Sequence, residues 1–285
     1  MLIHNKIVLG VDMGGTKIKA GLVVDGGLQN TRKISANATE SKTEILHRLF
    51  ELIDYYTHDH FQGIGLGVPS VIDVQNGIIY NVQNIPSWNE VHLKSILEDR
   101  YKVPVFVNND ANVFVLGEKY FGKGKPFKNI AGITLGTGMG TGLIINGHLY
   151  SGENCGAGEF GMLEYKDGII ENYSSGQFFK IFHNTTGIEM FERAEDGDQA
   201  AIQIFAEYGF HLGNVVKIIT YSVDPQIIIF SGSVAKAFKY FKDALQKQFS
   251  TFKFPKTVEK SIITTSDTKD IAVLGAAALC FEETL

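Results

Sequence analysis

The stretch Gly132-Ile133-Thr134-Leu135-Gly136-Thr137-Gly138-Met139-Gly140-Thr141-Gly142 leads a short apolar run into four glycines at every second position from Gly136. Leu143-Ile144-Ile145 follows, and an Asn146-Gly147 pair closes it. Two apolar runs flanking a glycine turn predict strand–turn–strand geometry, and Asn-Gly predicts a hairpin at 146–147. Glycine at this density lets backbone N–H groups approach a ligand, and successive N–H groups in such a turn make a concave anion site. An unliganded hairpin has the same composition, so the stretch alone leaves both readings open.

The start of the chain repeats the pattern. Ile7-Val8-Leu9-Gly10-Val11-Asp12 runs into Met13-Gly14-Gly15-Thr16-Lys17, then an apolar run to Val24 and an Asp25-Gly26 turn. Lys19–Leu28 (KAGLVVDGGL) lies over Gly140–Leu149 (GTGLIINGHL), matching Asp25-Gly26 to Asn146-Gly147. Two copies, rather than a short-period array, predict two related α/β lobes. Each would offer a glycine turn to a cleft between them, a natural place for a polyphosphate.

The bulk numbers narrow the classes. At 285 residues the chain has room for two lobes with their own cores. A net charge of −5 and a pI of about 5.9 argue against non-specific nucleic-acid binding, which needs a basic face. With only Cys155 and Cys280 there is no disulfide framework and no cysteine-rich zinc site. No apolar run approaches the ~20 residues of a membrane span, and the N-terminus lacks a signal-peptide core. A cytoplasmic protein with no membrane partner is expected.

Along the chain, Leu28–Ser35 reads as a third strand and Thr39–His58 as a helix, with Ile45, Leu49, Leu52 and Ile53 at helical spacing. The strand Gly63–Ser70 is rich in glycine, which marks close approach, so this edge is expected to abut a ligand. Asn76–Trp88 reads as a loop presenting polar groups beside the one tryptophan, or as a plain connection with Trp88 packed beneath it. Strand Val103–Val107 delivers Asn108-Asn109-Asp110-Ala111-Asn112 into helix Val113–Phe121. Functional groups of α/β sheets gather at such strand ends. Helix capping would explain one of these polar residues but not all four. Gly117 to Gly122-Lys123 starts like a Walker A loop, but Gly124 stands where Ser or Thr is needed. Gly156–Gly161 is a further glycine turn carrying Glu159, and Glu171 precedes Ser174-Ser175-Gly176. Helices are expected from Asp198 to Tyr221, over Val234–Phe249 and over Ile271–Cys280, with strands at Gln226–Phe230 and Ile262–Thr265. The lobe boundary is placed at Asn108: an N-terminal lobe 1–108, a larger lobe 109–269, and a C-terminal helix of about 270–285 returning to the first.

Taken together, Asp12-x-Gly-Gly-Thr-Lys17, Asn109-Asp110-x-Asn112, the 135–142 glycine run, Gly158-Glu159-x-Gly161, Glu171-x-x-x-Ser175-Gly176 and Ser231-Gly232-Ser233-Val234-Ala235 occur in one order across nearly the whole chain. This set resembles the ROK (repressor, open reading frame, kinase) family of sugar kinases and sugar-responsive repressors. The resemblance implies an α/β fold of the actin-like ATPase (ribonuclease H-like) type, with two lobes and ATP and a hexose meeting between them. It implies Asp110 as catalytic base, and Asn109, Glu159 and Glu171, with Ser70 and Asn84, around the sugar. For ATP it implies Asp12, Gly14, Gly15, Thr16 and Lys17 in a first phosphate loop, Thr137, Gly138 and Gly140 in a second, and Gly232 and Ser233 beside the adenosine. Mg²⁺ would sit near Asp12, and a homodimer is implied.

Two departures stand out. Many members have His after the Gly-Glu-x-Gly turn, where this chain has Met162. They follow it with a Cys-x-Cys-Gly-x-x-Gly-Cys zinc motif, where Glu164–Ile170 has no cysteine, so no zinc site is expected. The activity implied is an ATP-dependent hexose or N-acetylhexosamine 6-phosphotransferase, like glucokinase. A non-catalytic sugar-binding regulator is the alternative. A DNA-binding repressor is not expected, because eleven residues precede Asp12 and the chain is acidic.

Overall fold

A computed structural model describes residues 6–14, 16–36, 40–82 and 85–282. The first sheet contains β1 (Ile7–Met13), β2 (Lys17–Val24), β3 (Gly27–Ser35), β4 (Ile64–Val68) and β5 (Val105–Asn109), in the order β3-β2-β1-β4-β5. β1–β2 and β2–β3 are antiparallel, whereas β4 runs parallel to both β1 and β5. The parallel steps are made by helices: α1 (Lys42–Asp54), then α2 (Leu93–Tyr101), with α3 (Asp110–Tyr120) leaving β5. Ser41 and Glu44 close a capping box at the start of α1, and its buried stripe is Ile45, Leu49, Leu52 and Ile53. Helix α1 is shorter at both ends than its apolar spacing suggested, because the cap fixes where it begins.

The second sheet contains β6 (Ile130–Leu135), β7 (Met139–Ile145), β8 (His148–Leu149), β9 (Ile227–Ser231) and β10 (Ile262–Thr265), in the order β8-β7-β6-β9-β10. The strand order repeats that of the first sheet. β9 is parallel to β6 and to β10. Both two-residue turns have left-handed backbone, Asp25 and Gly26 at φ 50° and 79°, Asn146 and Gly147 at φ 54° and 94°. That is the geometry a type I′ hairpin requires. The helices of this part are α4 (Ile170–Ser174), α5 (Gln177–His183), α6 (Gly187–Glu195), α7 (Gln199–Val223), α8 (Phe238–Phe249) and α9 (Pro255–Lys260). Its core is aromatic: Phe178, Phe179, Phe205, Tyr208, Phe230 and Phe241 are all fully buried. The Tyr208 hydroxyl donates to the Ser174 carbonyl at 2.7 Å, satisfying its one polar atom.

The last helix, α10 (Ile271–Glu282), is apolar on every side and nearly all buried, as a helix without a polar face must be. It lies on the first sheet backbone to backbone. A Cβ on Gly65 would stand 1.7 Å from the Ala276 carbonyl oxygen, and one on Gly10 would stand 2.1 Å from that of Val273. The glycines of β4 therefore admit helices rather than a ligand: Gly65 receives α10 and Gly67 receives Val113 of α3. That corrects the expectation drawn from the sequence, since close approach by a helix and by a ligand leave the same glycine pattern.

Contacts divide the chain into two compact units. One comprises Met1–Pro126, Gly142–Ala157 and Asp267–Leu285, the other Phe127–Thr141 and Gly158–Ser266. The first break thus falls at Pro126 rather than Asn108. The reason is that α3 packs against α10 and β4 and stays with the sheet that launches it. The described residues of the stretch 76–88 are also built into more regular structure than a presenting loop. Val71–Asp73, Ile78–Tyr80 and Glu90–His92 form a small antiparallel sheet, and Trp88 is fully buried. No helix among the described residues is long and apolar enough to cross a membrane.

Replacing Gly65 by Ala should destabilise the protein by about 3 kcal/mol or prevent folding, as an overpacked backbone contact does. Gly156, with nothing within 4 Å of a Cβ, is the control. Its Ala variant should stay within about 0.5 kcal/mol of the parent in urea unfolding.

Candidate functional site

In the first unit the antiparallel register places Asp12 directly across from Lys19. Lys19 Nζ ion-pairs with Asp270, the residue just before α10, whose carbonyl accepts the Leu274 N–H at 3.1 Å. The turn between β1 and β2 is closed by Gly14 N–H donating to the Lys17 carbonyl at 2.9 Å, with Thr16 and Lys17 exposed. Gly15 and Asn84 lie outside the described residues.

The polar run after β5 separates into distinct tasks. Asn109 is the N-cap of α3, accepting the Ala111 N–H at 2.8 Å, and its Nδ2 donates to the Ser70 carbonyl at 3.2 Å. Asn112 Nδ2 donates to Asn108 Oδ1 at 2.9 Å, and both residues reach Ser151 at 3.4 Å. That pair ties α3 to the segment after β8. Asp110 has Oδ1 held by the Ala111 N–H at 2.9 Å, and its own backbone N–H also faces the carboxylate.

Burial raises the Asp110 carboxyl above the usual range, and backbone N–H groups partly offset it. Asp12 is pushed up to about 6, first by burial and then by the charge of Asp110; Lys19 opposes this and Asp270 adds to it. Asp12 and Asp270 thus share the Lys19 ammonium, with Asp110 adding negative charge beside Asp12. A group whose pKa is raised on folding loses stability as pH climbs from its unfolded to its folded value, so the ionised cluster is destabilising on its own.

In the second unit three segments converge on the turn 136–139. Gly176 N–H donates to the Gly136 carbonyl at 2.8 Å. Glu171 Oε2 accepts the Met139 N–H at 2.9 Å. The turn carrying Glu159 lies against the same strand, because a Cβ on Gly158 would meet the Thr141 carbonyl at 2.1 Å. Gly140 N–H donates to Thr134 Oγ1 at 3.2 Å. Thr137, Glu159, Gly232 and Ser233 are exposed. Gly232 backs onto Leu135 at the mouth of this turn, where a Cβ would stand 2.3 Å from the Leu135 carbonyl. Gly136 has nothing within 4 Å of a Cβ.

Glu159 and Glu171 are linked by a short hairpin, Glu164-Tyr165 paired with Gly168-Ile169. Here the zinc-motif cysteines of the resembling family are replaced by a ring and hydrogen-bond network. Gln248 Nε2 donates to Asn214 Oδ1 at 2.8 Å, which turns Asn214 Nδ2 toward the Tyr165 hydroxyl at 3.1 Å. Tyr165 is then left to donate to His211 Nδ1 at 3.1 Å. Burial pushes His211 down to about 4, so it stays neutral and accepts that proton. No group of three or more His, Cys, Asp or Glu among the described residues is placed to hold a metal ion.

With both clusters placed, the relatives can be compared. The ROK family profile matches residues 8–283. The chain belongs to the ROK family. A glucokinase of Thermotoga maritima is 28% identical over 310 residues, covering 96% of this chain and 97% of the relative. A xylose repressor of Bacillus spizizenii is 27% identical over 316 residues, covering 100% of this chain and 80% of the repressor. The structure of a ROK family glucokinase from Streptomyces griseus in complex with glucose and AMPPNP superposes with a TM-score of 0.80 at 26% identity, covering 96% of this chain and 98% of that one. The fold is accordingly the two-domain actin-like ATPase fold of ROK sugar kinases.

Lys19, Asp270, Gln177 and Tyr165 were missed in the sequence. Only Lys19 left a signal there, since a hairpin register centred on the 14–17 turn pairs it with Asp12. In metal-free protein, Asp12→Asn should be more stable than the parent in urea at pH 7.5. The gain should shrink as pH falls from about 6, where the folded state takes up the proton, and vanish below 3.8, where the unfolded state holds it as well. An equal gain at high and low pH would show that the charge is not the cause.

Proposed function

We propose that this ROK protein transfers the γ-phosphoryl group of ATP to the 6-hydroxyl of a hexose, glucose first among them, with Asp110 as general base. The observation that carries the reading is Asp110 itself. It is a half-buried carboxylate at the junction of a parallel strand and a helix, held in place by backbone N–H groups and raised by desolvation. An alcohol attacking phosphorus needs such an acceptor: a carboxylate oxygen takes the hydroxyl proton as the new O–P bond forms and the bond to ADP breaks. The relatives named glucokinase support both the reaction and the substrate class.

Asn109 and Ser70, already joined to each other, and Glu159 and Glu171 are assigned to the sugar. A carboxylate has about four acceptor positions. Glu171 uses two of them on Met139 and Gln177, which leaves two for hydroxyls. Gly14, Thr16 and Lys17, with Gly15, and Thr137, Gly138 and Gly140 are assigned to the phosphates, and Gly232 and Ser233 to the adenosine. Asn84 is kept beside the sugar by resemblance alone. Asp12 fits a Mg²⁺ that is held mainly by phosphate and water, because burial and the neighbouring charge of Asp110 leave its carboxylate short of a cation and Lys19 is already paired with Asp270. Bound there, the ion would neutralise phosphate charge.

A coupled ADP-release assay with Mg-ATP and a hexose panel tests the reading. Asp110→Asn should cut kcat by about 10²–10⁴-fold while sugars still raise the melting temperature. The xylose repressor relative favours a second reading, a sugar-responsive regulator without transfer. Silence across the panel, with sugars still raising the melting temperature, would establish that one instead.

Gly136→Ala separates ligand approach from packing. No protein atom requires that glycine, so stability should hold within about 0.5 kcal/mol. The KM for ATP should rise several-fold. An unchanged KM would remove the second glycine turn from the phosphate site.

A further inference from the structure

The turn 136–139 does not hold its own shape. Within it one hydrogen bond closes the loop, Gly136 N–H to the Gly138 carbonyl at 3.0 Å. Its two ends are fixed from outside, Gly136 by the Gly176 N–H and Met139 by Glu171. A Cβ on Gly138 would stand 2.5 Å from Glu171 Oε2, so the bare backbone there lets that carboxylate close on the turn. The position of one carboxylate therefore sets how the N–H groups of this turn point.

Glu171 is itself fixed by a chain of amides. Ile169 N–H donates to Asn172 Oδ1 at 3.1 Å, so Asn172 Nδ2 faces the other way and donates to Gln177 Oε1 at 3.1 Å. That orients Gln177, whose Nε2 donates to Glu171 Oε1 at 2.7 Å. The Ser175 hydroxyl, donating to the Glu171 carbonyl at 2.8 Å and accepting the Gln177 N–H at 3.1 Å, fixes the spacing between the two residues. Each donor in the chain has one place to go.

We propose that Gln177 is a positioning residue for nucleotide binding: it holds the Glu171 carboxylate on the Met139 amide and thereby sets the glycine turn that receives phosphate. This rests on the assignment of that turn to ATP under the proposed function. Glu171 then serves two ligands, lending spare acceptor positions to the sugar and shaping the turn for the nucleotide. Losing Gln177 frees the carboxylate to swing, which loosens the turn. The sugar keeps its other partners.

The test measures ATP and glucose binding separately by calorimetry on the purified chain with Mg²⁺, in the parent, Gln177→Met and Gln177→Glu. Methionine keeps the volume and removes the donor; glutamate sets a like charge against Glu171. The dissociation constant for ATP should rise about 10-fold in Gln177→Met, as loss of a charged hydrogen bond does, and further in Gln177→Glu. Glucose affinity should stay within about 3-fold and the melting temperature near that of the parent. Unchanged ATP binding in both variants would overturn the proposal. So would equal weakening of both ligands with a lowered melting temperature, which marks ordinary structural damage. A folded parent that binds no ATP would remove the kinase reading itself, and that result is visible before any variant is made.

Discussion

The first unit depends on a helix seated so close to a sheet that backbone meets backbone at several points. Gly10 and Gly65 on the strands, and Gly117 of α3 against Gly275 of α10, lack the Cβ that would hold the elements apart there. Such contact fixes position far more tightly than interdigitated side chains, which can repack. One consequence is electrostatic. With α10 set to this depth, Asp270 at its start meets Lys19, 251 residues earlier, across from Asp12. The charge balance around Asp12 is thus decided by packing at the far end of the chain.

The two sheets share a strand order and a hairpin geometry, but they brace their glycine turns differently. Between β1 and β2 the turn is closed locally, by Gly14 and Lys17, beside strands in full register. Between β6 and β7 the brace comes from α4 and α5, through Glu171 and Gly176. A turn held by its own strands is rigid by default. A turn held by a side chain can be adjusted by whatever else touches that side chain, which is why Glu171 couples two ligands under the proposed function.

Local patterns were legible in the sequence, and long-range ones were not. Both hairpins, the two-copy alignment and helices α7, α8 and α10 follow from periodicity and turn chemistry over ten to twenty-five residues. The place of Asp110 at a strand–helix junction was legible from the buried strand before it. The tasks of its neighbours were not, because a capping Asn109 and a buried Asn108–Asn112 pair look identical until the segment holding Ser151 is placed. The glycines of β4 announced close approach without saying by what. The unit boundary was misplaced because the strand-to-helix junction at Asn109 is continuous packing, not a seam. Nothing local marks Gln177, whose partner Glu171 is six residues away across an irregular junction rather than along one helix.

The like charges of Asp12 and Asp110 couple the two groups. Burial raises both carboxyls, and the charge of Asp110 adds to the shift of Asp12, which is pushed up to about 6. They therefore titrate as a pair rather than singly. As pH climbs through that range the pair gains negative charge, with Lys19 already engaged by Asp270, and it opposes folding. A protein selected for stability alone would not keep this arrangement. Under the proposed function a cation that neutralises Asp12 relieves the repulsion and leaves Asp110 as the carboxylate available to accept a proton. The proposed base and the proposed cation site are then one electrostatic unit, and neither carboxylate can be assigned without the other.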